Sequence, residues 1–130
     1  METFRVKTSS RTDFVDITGE VASSVAGSGI RDGVCTVYVP HTTAGITINE
    51  NADPSVRDDI MAVLDGMVPW DGPYRHTEGN SAAHVKASLV GFTAVIPIEE
   101  GGLALGTWQG IYFCEFDGPR TRKVHVQLLT

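Results

Sequence analysis

Three of the four histidines stand where loops and a helix end can gather them. His41 follows Pro40 and precedes Thr42-Thr43-Ala44-Gly45. His76 lies in a polar stretch with Thr77, Glu78 and Asn80, and His84 lies one helical turn beyond Asn80. Imidazole titrates near neutral pH, so it can ligate a metal, carry a proton or donate to a phosphate oxygen. A single histidine is most simply a surface or structural residue. Here two fall in turn-rich polar segments, where sites are usually built. The spacing matches no His-Glu-x-x-His pair and no Cys-x-x-Cys pair.

Asp117-Gly118-Pro119-Arg120 reads as a tight turn. An arginine on such a turn offers a planar fork to a phosphate, and Asp117 can orient it or help bind a divalent ion. The Thr42-Thr43 pair with Gly45 can turn hydroxyls and backbone N–H groups toward an anion, although such a pair at a strand edge is also commonplace. Glu50 is a free candidate for acid, base or metal ligand, whereas Asp53 is better placed to cap a helix. Asp58 and Asp59 read as the wet face of that helix, and His125 as an exposed-face or subunit-contact residue.

These side chains need elements to hold them. Thr3–Lys7 alternates apolar and polar residues, as a half-buried strand does. Phe14–Ile17 reads as a second strand. Thr18 is the expected N-cap of a short helix that stops at Gly27 and Gly29. Gly33–Val39 and Ile46–Asn49 are strands. Asp53-Pro54 predicts cap and first position of a second helix, with Val56, Ile60, Val63, Leu64 and Met67 on one face. Asn80 or Ser81 caps a third helix running to Val90. Phe92–Ile98 and Trp108–Phe116 are strands, the latter apolar on both faces and so central or facing another subunit. Val124, Val126 and Leu128 alternate in the last strand. About seven strands and three helices, without strict alternation, predict one α+β domain over residues 1–130, with a mainly antiparallel sheet.

The chain has 130 residues, 42% of them hydrophobic, which suits one core. A formal charge of -6 disfavours nucleic acid and anionic membranes as partners. No apolar run approaches the roughly 20 residues of a membrane span, and the first residues lack a secretory apolar stretch. A cytoplasmic protein is expected. Cys35 and Cys114 are expected to be buried thiols. No phosphate-binding glycine loop of the nucleotide-binding types occurs.

Four blocks in order resemble the YjbQ-like family. They are Pro40-His41-Thr42-Thr43-Ala44-Gly45 with Asn49-Glu50-Asn51-Ala52-Asp53-Pro54; His76-Thr77-Glu78-Gly79-Asn80 with His84; Ser88-Leu89-Val90-Gly91 through Gly106-Thr107-Trp108-Gln109; and Glu115-Phe116-Asp117-Gly118-Pro119-Arg120. The resemblance implies a bent mixed sheet, a homotrimer, and a secondary thiamine-phosphate synthase activity. That reaction joins a pyrimidine methyl diphosphate to a thiazole phosphate and releases diphosphate. In a mechanism consistent with these residues, Thr42, Thr43, Asn80, Asp117, Gly118 and Arg120 hold phosphate. His41, His84, Glu50 and Arg120 carry the chemistry. His41, His76 and His84 ligate a divalent metal ion, Mg or Zn, or donate to phosphate oxygens while protonated. Trp108 or Tyr74 stacks on a heterocycle. The rivals are a non-catalytic trimer that binds a metal or phosphate ligand, and a metal-assisted phosphoester hydrolase.

Overall fold

A computed structural model describes residues 1–130. The chain runs β1 (Glu2–Lys7), β2 (Asp13–Asp16), α1 (Thr18–Ser28), β3 (Gly33–Tyr38), β4 (Ala44–Glu50), α2 (Pro54–Met67), α3 (Ser81–Val90), β5 (Thr93–Glu99), β6 (Gly102–Leu103), β7 (Gln109–Glu115) and β8 (Thr121–Leu129). The strands form a five-stranded sheet in the order β1-β8-β3-β5-β6 and a three-stranded sheet in the order β2-β7-β4. Every ladder is antiparallel. With three helices, this is the expected α+β domain.

The sheets pack face to face. Cys35, Val37, Ile96, Ile98, Val124 and Val126 from the larger sheet meet Ala44, Ile46, Ile111 and Phe113 from the smaller one in a single buried cluster. Ile17, Val21 and Val25 at α1 join this cluster. The α1 helix ends at Gly29, whose φ of 73° is the left-handed value that glycine adopts without steric cost. Its start differs from expectation. Ile17 stands at the cap without a side-chain bond, and Thr18 is already helical. The Thr18 hydroxyl instead donates to Asp16 Oδ1 at 2.6 Å and accepts the Ile111 N–H at 2.8 Å, tying the helix to β7.

A helical layer covers the other face of the small sheet. Phe14, Tyr112, Cys114 and Phe116 there pack against Ala83 and Ala87 of α3, with Ile60, Met61 and Leu64 of α2 alongside. This explains the two-sided apolar pattern of β7: one face meets the large sheet and the other meets helices. The strand begins at Gln109, however, and Trp108 is 63% exposed, so it belongs to neither core. In α2, Asp53 caps through its carboxylate, which accepts the Ser55 N–H at 2.9 Å, with Pro54 at the first position. Val63 and Met67, expected on the buried face, are exposed, because α2 packs through Ile60, Met61 and Leu64. Both cysteines are buried free thiols.

Candidate functional site

The turn between β7 and β8 rests on a buried ion pair. Arg122 on β8 and Glu115 on β7 have side chains 4% and 0% exposed. Arg122 Nε donates to Glu115 Oε1 at 2.8 Å, and Nη2 donates to Oε2 and to Thr43 Oγ1, the latter at 2.8 Å. Glu115 Oε2 also accepts the Asp117 N–H at 3.0 Å, and the Thr8 hydroxyl lies 2.9 Å from Oε1. Burial alone would push the Glu115 carboxyl up. The Arg122 guanidinium, the Asp117 amide and the Thr8 hydroxyl outweigh it and hold the group below its ordinary value.

That pair fixes the turn carrying Arg120. The Arg120 N–H donates to Thr8 Oγ1 at 2.9 Å, and the Thr8 N–H donates to the Arg120 carbonyl at 2.9 Å. The Gly118 N–H reaches the Arg11 carbonyl at 3.0 Å. A Cβ at Gly118 would come within 2.4 Å of the Ser10 carbonyl oxygen and 2.8 Å of both Thr8 Oγ1 and Glu115 Cγ, so only glycine fits. Gly118 thus closes the turn. The Arg120 side chain is 49% exposed, yet it is oriented: Nε donates to the Asp117 carbonyl at 2.9 Å and Nη2 to Asp117 Oδ2 at 3.1 Å. Asp117 Oδ2 also accepts from Asn80 Nδ2 at 2.9 Å, which docks the start of α3 on the turn. Asn80 therefore stands at the cap position with its side chain spent on Asp117 rather than on the helix. Its Oδ1 is buried and has no donor within the chain.

The histidines divide. His76 and His84 form an edge-to-face pair with ring centroids 5.4 Å apart, His84 lying on α3 one turn past Asn80. His41 sits beside the start of β8, where its Nε2 accepts the Lys123 N–H at 2.9 Å. That bond leaves the ring proton on Nδ1. Burial and the adjacent Arg122 charge depress the His41 pKa, with Glu115 opposing and Arg120 adding to the effect. His41 is accordingly neutral at neutral pH, a donor through Nδ1 rather than a cation. No group of three or more His, Cys, Asp or Glu side chains is spaced to hold a metal ion. The expected set of His41, His76 and His84 is therefore not assembled within one chain.

The remaining candidates separate clearly. Thr43 is buried and its hydroxyl is committed to Arg122, whereas Thr42 is exposed. Glu50 ends β4 opposite Gln109, while Thr43 precedes the other end, where Ala44 pairs with Glu115. The two ends lie about 20 Å apart at strand rise, so Glu50 keeps other company, near Tyr112 and Asp16. Trp108 flanks that same end of β7 and is remote from Arg120. Tyr74 is turned onto its own loop, donating to the Pro69 carbonyl at 2.6 Å. His125, on the outer face of β8, pairs with Thr3 Oγ1 at 2.8 Å and stacks on Tyr38. Arg122 and Glu115 were not among the candidates. The available signal was parity: Arg122 alternates with buried Val124 and Val126, and Glu115 with buried Ile111 and Phe113.

These features define a class: a small antiparallel two-sheet α+β protein with a buried ion pair under one turn, an oriented arginine on it and His41 beside it. The chain belongs to the UPF0047 protein YjbQ-like family, which it matches over residues 2–130. It is 51% identical to the UPF0047 protein YugU of Bacillus subtilis over 130 residues, covering 99% of this chain and 98% of that one. It is 52% identical over 126 residues to a UPF0047 protein of Methanocaldococcus jannaschii, covering 97% and 91%. The crystal structure of a YjbQ/UPF0047 protein from Clostridium acetobutylicum superposes with a TM-score of 0.98 at 56% identity, covering 99% of this chain and all of that one.

Proposed function

We propose that this protein binds a phosphorylated small molecule at Arg120 and acts in the cytoplasm as a secondary thiamine-phosphate synthase. The observation that carries the reading is the Asn80–Asp117–Arg120 chain of hydrogen bonds, which presents a half-exposed guanidinium already oriented for an oxyanion. In the reaction, the C–O bond of the pyrimidine methyl diphosphate breaks and its electron pair leaves with diphosphate. The thiazole nitrogen then supplies the pair for the new C–N bond. The protein has to position two reactants and neutralise the leaving group. Arg120 does the latter. His41 Nδ1–H and the His76–His84 pair add donors, and Asn80 holds Asp117, which orients Arg120.

A divalent ion enters this reading only as a companion of the ligand's phosphates, because one chain does not bring three donors together. For the same reason no step is assigned to it, and a metal-assisted hydrolase is the weaker reading. We also propose a homotrimer. Val34, flanked by Leu129 and Pro97, and the neighbouring Val95 leave an apolar outer face on the large sheet, with Val95 and Leu129 about 60% exposed.

The test is turnover of the two thiamine precursors together with diphosphate affinity by calorimetry. Arg120→Ala and His84→Ala should each lose about tenfold or more in affinity or turnover, the scale of a lost charge-assisted hydrogen bond. If both folded variants behave as the parent does, the site lies elsewhere.

A further inference from the structure

A polar cleft opens between the β1–β2 loop, the end of α2 and α3. It has a volume of about 380 Å³ and is lined by Ser10, Arg11, Thr12, Asp65, Trp70 and Lys86. Lys86 is the informative residue. It sits on the buried face of α3 beside Ala82, Ala83 and Ala87, with its side chain only 4% exposed. An ammonium group has three N–H donors. Within the chain, Asp65 Oδ1 is the partner of Lys86 Nζ, and Asp65 is itself more than half exposed. Two donors of a buried cation therefore remain for something in the cleft. Keeping a lysine there is expensive unless those donors are used.

The opposite wall matches. The Arg11 guanidinium carbon lies over the Trp70 ring, 4.1 Å from its centroid. It forms no ion pair with any carboxylate. The cation–π contact holds the guanidinium without using its N–H donors. With Asp65 counted, the cleft carries one net positive charge on a chain whose formal charge is -6. Its volume is within the range of small-ligand sites, so it has room for a phosphorylated molecule and not merely an ion.

We propose that this cleft is a second oxyanion site, one that binds a phosphoryl group between Lys86 and Arg11, with Trp70 alongside. It is separate from the Arg120 turn and stands whether or not the reading of that turn is right. The two are nevertheless mechanically linked, because the Arg11 carbonyl accepts the Gly118 N–H.

Trp70 supplies the readout, since Trp108 is the only other tryptophan. In a Trp108→Phe background, inorganic phosphate is titrated while Trp70 emission is followed. A saturable change is expected. Lys86→Met, which keeps the buried stem, should weaken it about tenfold or more. Arg11→Gln, a change at an exposed residue, should weaken it similarly, and Arg120→Ala should leave it intact. No saturable response in the folded Trp108→Phe protein overturns the proposal. So does a response that survives both Arg11→Gln and Lys86→Met, or one that disappears with Arg120→Ala alone. Loss of the synthase reaction in Arg120→Ala with the Trp70 response retained would separate this site from the first.

Discussion

Replacing Glu115 by Gln tests whether the ion pair holds up the Arg120 turn. The glutamine keeps the shape but removes the charge opposite Arg122, whose side chain is 4% exposed and has no other carboxylate partner. Leaving one member of a buried pair uncompensated costs about 3–5 kcal/mol. For 130 residues this corresponds to a fall of about 10–20 °C in melting temperature. The assay is thermal and urea unfolding of the parent, Glu115→Gln, Arg122→Met and the double variant Glu115→Leu/Arg122→Met, at one fixed protein concentration because assembly shifts apparent stability. Each single change should cost the full amount. The double change should cost less than the sum, because it leaves no buried charge alone. A single-variant cost below about 1 kcal/mol would place the pair in effectively solvated surroundings. A double variant that costs the whole sum would mean the residues do not act on one another. Either result refutes the reasoning.

Other outcomes follow from the same contacts. The pH dependence of stability should show two steps. His41 has its pKa lowered from 6.5 in the fold, so its contribution is present above about pH 6.5 and is lost as pH falls through the folded value. Glu115, lowered from 4.5, behaves likewise below about pH 4.5, and urea unfolding against pH should lose only the upper step in His41→Gln. Gly118→Ala should destabilise by about 1–3 kcal/mol, since the added methyl meets the Ser10 carbonyl and the Glu115 stem. Circular dichroism melts would show this, and an unchanged midpoint would mean the turn relaxes freely. If the proposed trimer forms, Val95→Glu on the exposed sheet face should convert it into monomers by light scattering while keeping the fold.

Much of the framework was legible because local rules and tertiary packing agreed. Alternation placed β1 and β8, and Asp53-Pro54 placed the start of α2. Departures arose where a partner distant in sequence outbid a local preference. Thr18 gave its hydroxyl to β7 instead of capping α1, and Asn80 gave its amide to Asp117 instead of capping α3. Trp108 looked like core by composition, but β7 starts one residue later. Glu50 was a candidate acid, base or metal ligand by residue type alone, and β4 carries it away from His41 and the turn. Lys86 was readable in principle, at three and four residues from Ala83 and Ala82 on a buried helix face. Its partner on α2 was not.

A buried Arg–Glu pair is a poor way to gain stability when an apolar pair of similar volume would serve as well. Its position suggests what it is for. Glu115 takes the Asp117 amide, Thr8 takes the Arg120 amide, and the Arg11 carbonyl takes the Gly118 amide, so successive N–H groups of one short turn are tied to β7 or to the segment after β1. No set of apolar side chains could hold backbone donors in that way. The turn's conformational entropy is therefore lost when the chain folds. Arg120, already anchored on Asp117, would have little left to lose on binding the proposed anion. If this is the role of the pair, variants that weaken Glu115 should lower anion affinity at Arg120 even under conditions where the protein remains fully folded.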